Sequence, residues 1–157
     1  MNTTAISRPL EILAQILSAL QSLFLLATRW YVSWQFLKSG WLKVSSWDST
    51  LDLFRNEYHV PLLPPDIAAV VGASGELFFP ALLILGLGGR IGALGLFAVN
   101  LMAVISYAHV LLAEGFEAAL AQHVLWGFML VLLAVFGNGA FALDRILAPK
   151  LGATRAW

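Results

Sequence analysis

The stretch RWYVSWQFLKSGWLK, Arg29 to Lys43, decides how the rest of the chain is read. It is strongly apolar and helical in pattern, yet it carries an arginine and, toward its end, two lysines. An ionised side chain at bilayer depth costs about 2.5–3.5 kcal/mol even on lenient insertion scales. Arg29 therefore needs either a partner elsewhere in the chain or a polar cavity to line.

The composition around that stretch sets the class. Of 157 residues, 60% are hydrophobic and only 11% charged, with a mean hydropathy of +0.83. Soluble domains carry roughly 25% charged residues, so the chain reads as an integral membrane protein forming one domain over residues 1–157. The formal net charge is zero, which gives no footprint for nucleic acid. The absence of cysteine excludes disulfides, thiolate metal sites, Cys-ligated iron–sulfur clusters and covalent c-type haem. The N-terminus MNTTAISRPLEILAQ has no small-residue cleavage site and is read as retained.

A helix needs about 20 apolar residues to cross a hydrocarbon core of about 30 Å. Spans are expected at about 17–41, 67–87, 91–112 and 118–136. The predicted fold is all-α: an integral membrane four-helix bundle, with an interfacial helix on the outer side between spans 1 and 2. Before the first span, Leu10, Leu13, Ile16, Leu17 and Leu20 recur at helical spacing. They form an amphipathic lead-in that either lies on the membrane surface or extends the span. After it, Trp47, Leu51, Phe54 and Tyr58 recur at i, i+4, i+7 and i+11. This predicts a short helix capped near Ser46, with its aromatic face among the headgroups. Pro64 and Pro65 then set the entry to the second span.

Basic residues orient the bundle. Arg8, Arg90, Arg145, Lys150 and Arg155 fall on one side of four spans, and Lys43 and Arg55 on the other. Both termini are therefore expected in the cytoplasm, in a bacterial inner membrane, with the interfacial helix facing outward.

Helical geometry places Arg29, Ser33, Phe36, Gly40 and Lys43 on one face, and Lys38 opposite, free to snorkel. Glu76 is the one ionisable residue of the second span beyond the entry Asp66. Its depth matches that of Arg29, so a mid-membrane Arg29–Glu76 pair is expected, with Asn100 as its neighbour. Pro80 deprives the Glu76 carbonyl of its usual donor, leaving that oxygen to Arg29, Asn100 or water. Such a pair can line a ligand pocket or only fix helix registry, and both readings stand. His59, His109 and His123 all fall toward the outer side. Three imidazoles can ligate copper or zinc, and two can hold a non-covalent haem. No HxH, HxxxH or HExxH spacing supports this, and local hydrogen bonding is the competing reading.

The order of these motifs resembles the DoxX family of small four-helix membrane proteins. The likeness rests on Arg29, on FLKSGWLK with Gly40 and Lys43, and on GELFFPALLILGLGGRIGALGL around Glu76 and Arg90. It extends to FGNGAFALDRIL, which carries Gly137, Gly139, Leu143 and Asp144. YHVPLLPP (residues 58–65) and QHVLWG (residues 122–127) are similar to a subgroup often encoded beside multinuclear iron oxygenases and small metal-binding peptides. Other members are similar to the quinone-linked membrane subunit of thiosulfate dehydrogenase. The resemblance thus implies an accessory redox subunit handling a quinone or similar lipophilic carrier, in a metal-stress or peptide-maturation setting. Its partners would be the bilayer and a membrane or periplasmic redox or maturation protein. In that reading Arg29 and Glu76 set the pocket, Lys43 orients the head of the carrier, and His109 or His123 binds its carbonyl or carries a proton. Whether the chain is itself an enzyme stays open. Two rivals remain: a non-enzymatic scaffold or maturation factor, and a small solute or metal permease that would need to form a homo-oligomer.

Overall fold

The computed structural model describes residues 4–88 and 90–147, with side chains from residue 8. Every regular element among them is helical: α1 (Thr4–Ser45), α2 (Trp47–Asn56), α3 (Pro65–Leu85), α4 (Ile91–Ser106), α5 (Ala108–Leu111), α6 (Glu117–Phe136) and α7 (Leu143–Leu147). Neighbouring long helices run antiparallel. α1 packs on α3 and α6, and α4 closes the ring between those two. The core is small and aliphatic at its centre, with Leu25, Val32, Phe36, Leu83, Leu96, Leu130 and Leu133 buried together. Phe79, Phe97, Trp126 and Met129 pack around it, and many other large apolar side chains of the spans are exposed, as a bilayer solvent allows.

Three helices, α1, α3 and α6, are long and apolar enough to cross a membrane by themselves, and α4 is a shorter apolar helix. The expected third span of residues 91–112 is interrupted at Tyr107. The cause lies in the link after α2, where the His59 N–H donates to the Ser106 carbonyl at 2.9 Å. Val110 N–H turns to Tyr107 O instead, at 3.1 Å, and α5 restarts the chain as a separate turn.

α2 forms where the sequence places it, directly after Ser46, although the Ser46 side chain makes no capping bond. Its apolar stripe corrects the expectation of an aromatic face among the headgroups. Phe54 is buried against Ala68 and Ala69 of α3, with Trp47, Leu51 and Tyr58 packed around it. The stripe faces the bundle, which satisfies it without lipid. The lead-in is settled as well: it is continuous with the span in a single helix of 42 residues.

The opposite end of the bundle, here the turn end, is built by GLGGR and FGNGAF. Gly86 caps α3 in the left-handed region, φ +67°, and Leu87 N–H returns to Leu82 O at 2.9 Å. Asp144 ties the two turns together: its Oδ1 accepts from Gly88 N–H at 3.2 Å, and its own N–H donates to Gly86 O at 3.2 Å.

A Cβ at Gly86 would lie 2.8 Å from Ala142 Cα and 3.1 Å from an Arg29 guanidinium nitrogen. Gly115 also has positive φ, +88°, but meets nothing within 4 Å. Gly115→Ala should therefore show only the left-handed backbone penalty, roughly 1 kcal/mol. Gly86→Ala should add the clash and lose at least about 2 kcal/mol. Thermal unfolding of the two variants in detergent checks the ordering.

Candidate functional site

The two buried cations of α1 have separate partners, and neither arrangement is the expected Arg29–Glu76 pair. Arg29 is 1% exposed. Its guanidinium donates to the backbone carbonyls of Ile84 (3.1 Å), Phe141 (3.0 Å) and Asn138. These oxygens belong to the last turn of α3 and the glycine-rich turn after α6. A helix C-terminus gathers carbonyls without intrahelical donors and carries partial negative charge, so it suits a cation. Arg29 thus sits at the turn end and not at mid-depth. Among the described side chains of α1 the first buried one is Leu25, so the packed part of the helix begins about eight residues later than the expected span at residue 17. That shift moves Arg29 from the middle to one end.

Glu76 takes Lys43 instead. Lys43 Nζ lies 2.8 and 3.0 Å from the two Glu76 carboxylate oxygens and 2.8 Å from Ser39 Oγ. All three ammonium donors are used, and the two side chains are only 11% and 9% exposed. Gly40 makes the approach of α1 and α3 close enough, since a Cβ there would lie 3.0 Å from Glu76 Cβ and from Leu77. Glu76 is eight residues before Ile84, about 12 Å along α3, so the two charged centres are well separated.

Asn100, expected beside the ion pair, binds His123. Asn100 Nδ2 donates to the His123 backbone carbonyl at 3.0 Å, and Asn100 Oδ1 is 2.9 Å from His123 Nδ1. With its amide nitrogen committed to a carbonyl, the asparagine presents only its oxygen to the ring. His123 Nδ1 must then carry hydrogen, and Nε2 keeps its lone pair in the neutral ring. Trp126 stands edge-on to His123, with centroids 5.0 Å apart, and also to Phe36, at 5.5 Å.

These groups surround a cavity of about 200 Å³ toward the α2 end of the bundle. Lys43, Glu76, His123, Trp126, Tyr58 and Tyr107 line it, with Gln35, Ser39 and Phe36 completing one wall. Trp126 Nε1 is buried and has no hydrogen-bond partner. Burial, reinforced by the Glu76 carboxylate, pushes the Tyr58 hydroxyl up to about 12. Tyr107 donates to Glu57 Oε2 at 3.2 Å where the cavity meets α2. The expected site residues divide accordingly. Lys43, Glu76 and His123 come together in the cavity, and Asn100 supports His123 from behind. Arg29 and His109 lie elsewhere.

His109 lies against His59 with ring centroids 4.7 Å apart and ring planes tilted by 41°. Among the described residues, no group of three His, Cys, Asp or Glu side chains is arranged to hold a metal, so His59, His109 and His123, weighed above against local hydrogen bonding, do not form a ligand trio. Sequence reasoning missed Tyr58 and Tyr107 as lining residues. The signal was there in the aromatic stripe of α2 and in the face Tyr107 shares with Asn100.

The DoxX family profile matches residues 24–110. The chain belongs to the DoxX family. The matched region includes Arg29, Lys43, Glu76 and Asn100 and ends before His123. This DoxX protein is also similar to a Haemophilus influenzae protein described as an uncharacterized protein, 27% identical over 138 residues, or 85% of this chain and 88% of the relative. No solved structure matches it.

Two tests address the charged site. Removing one member of the Lys43–Glu76 pair leaves the other charge buried, so Lys43→Met and Glu76→Gln should each lose roughly 3 kcal/mol. The double variant should lose clearly less than the sum, and a double-mutant cycle of unfolding free energies reads the difference. Tyr58 provides the pH test. The folded chain holds this proton to about pH 12, whereas the ordinary value is 10.0. Its contribution is fully present below pH 10 and is lost as the pH rises through 12. Tyr58→Phe should therefore flatten the fall of melting temperature over that window.

Proposed function

We propose that this DoxX-family protein binds the ring head of a quinone or a similar lipophilic electron carrier in the cavity between α1, α3, α4 and α6. In this reading it serves a membrane redox system as a binding and positioning subunit. The carrying observation is the fixed tautomer of His123 in a small polar cavity that also holds the Lys43–Glu76 pair. The neutral His123 ring offers a proton acceptor at Nε2. Trp126 Nε1, buried without a partner, offers a donor. A dihydroxy ring needs an acceptor at one hydroxyl, and its oxidised form needs a donor at a carbonyl oxygen, so the lining suits both.

Size narrows the ligand. Pockets that engulf drug-sized molecules measure about 300–1,000 Å³, and this cavity is about 200 Å³. It accommodates a single ring and leaves an isoprenoid tail among the lipids. It is too small for a haem. The chain has no cysteine, so electrons would pass between the bound carrier and a partner protein, with this chain orienting the ring and holding its proton. The basic-residue distribution supports an orientation with the α2 end facing outward, where a periplasmic redox or maturation partner would meet the carrier.

A short-tailed benzoquinone titrated into purified protein should quench tryptophan fluorescence saturably. His123→Ala and Glu76→Gln should each weaken binding by about tenfold, the effect of 1.4 kcal/mol. Lys38→Met, on the far face of α1, should leave it unchanged. Quenching that never saturates, or that is identical in all variants, would overturn the assignment.

A further inference from the structure

Half of α1 has no counterpart in the rest of the bundle. The helix has 42 residues, about 63 Å, whereas α3 has 21 and α6 has 20, about 30 Å each. Arg29 is locked to the end of α3 and to the turn after α6, and Gly139 of that turn lies against Ser22 and Leu25. Every residue from Arg8 to Gln21 is exposed. This overhang leaves the turn end of the bundle along the axis of α1 for about 20 Å.

The overhang is apolar on one side only. Leu10, Leu13, Leu17, Leu20 and Phe24 step by three and four residues, a seven-residue repeat, and each is 50–61% exposed. Arg8, Glu11, Gln15, Ser18 and Ser22 lie on the opposite face. Ile12, Ile16 and Leu23 widen the apolar side, giving eight large residues with at least half their surface free. At roughly 100 Å² each they present about 800 Å². The largest patch on a typical monomer is about 300–600 Å², and about 800 Å² is one partner's share of a standard protein interface.

We propose that residues 10–24 pair with the same residues of a second copy in a parallel two-stranded coiled coil. Leu10, Leu17 and Phe24 would occupy a positions, and Leu13 and Leu20 d positions. Two copies inserted the same way in one bilayer have parallel α1 helices, which is the arrangement a two-fold axis along the membrane normal requires. The flanking e and g positions carry Ala14, Gln21, Ile16 and Leu23. No charge there opposes self-pairing or selects a different partner. A sheath of lipid would explain the apolar side but not the polar stripe behind it, and a helix lying flat on the membrane would have to break away from the span, which α1 does not.

The chain has no cysteine, so single cysteines can report the pairing in the full-length protein in native membranes. Leu13→Cys, Leu17→Cys and Leu20→Cys should give an oxidised dimer, while Gln15→Cys and Ser18→Cys should not. Leu13→Glu combined with Leu17→Glu should shift the mass of the purified particle from dimer to monomer with little change in melting temperature. A crosslinking profile without the heptad pattern overturns the proposal. So does labelling of Leu13→Cys and Leu17→Cys by lipid-soluble but not water-soluble thiol reagents, which would assign this face to the bilayer. Crosslinking to a product other than the dimer would assign it to another protein and equally end the idea.

Discussion

The fold depends on a single buried guanidinium. Arg29 gathers carbonyls from the last turn of α3 and from the turn after α6, and so joins three of the four long helices at one point. Backbone oxygens in a low-dielectric site are expensive to leave unpaired, and a lysine at this position could not present a planar fork of donors to oxygens in different turns. The surrounding motifs make sense as the receptor for that side chain. Gly86 ends α3 without filling the space beside the guanidinium. Gly137 and Gly139 take positive φ on either side of Asn138, in the turn that aims the Asn138 and Phe141 carbonyls inward. Asp144 then pins the result to the α3–α4 turn. The FGNGAFALD segment is thus a piece of backbone shaped around an arginine located more than a hundred residues earlier.

With the turn end closed in this way, the other end of the bundle is free to hold a cavity. Lys43 reaches Glu76 from close to the end of α1, and the pair satisfies its hydrogen-bonding capacity internally. A fully bonded ion pair beside a cavity lends a field to that space without demanding a ligand. Asn100 likewise orients His123 from outside the cavity, in the way a supporting group fixes a reactive imidazole. α2 completes the wall because its apolar stripe docks on α3 and carries Tyr58 with it.

Much of this was legible in the sequence, but at different resolutions. Hydropathy and span length specify an all-helical bundle, and the i, i+4, i+7 stripe specifies α2 within a residue of its observed start. Sequence pattern could not say where along α1 the bundle begins, because Leu10 to Phe24 is as apolar as the packed region that follows. That one ambiguity displaced Arg29 toward mid-depth and suggested Glu76 as its partner by elimination of charge. The real partners are carbonyls, which every residue carries and which no composition argument can single out. Lys43 was placed on the correct face, and Gly40 one turn before it marks the close helix approach that brings Glu76 within reach. The packing direction of the α2 stripe was equally hidden, since a headgroup layer and an apolar helix surface select the same residues.

The two α1 cations show why buried charge alone does not identify a functional group. Arg29 and Lys43 lie on one helix face, and both are nearly sequestered from solvent. Arg29 directs its two terminal guanidinium nitrogens at main-chain oxygens whose positions the fold dictates. Lys43 is bonded to side chains, one of which shares a cavity with an imidazole held in a defined tautomer. Side-chain partners can rotate and can exchange a bond with a ligand, whereas the carbonyls around Arg29 cannot move without unwinding a helix end. The distinction rests on the kind of partner.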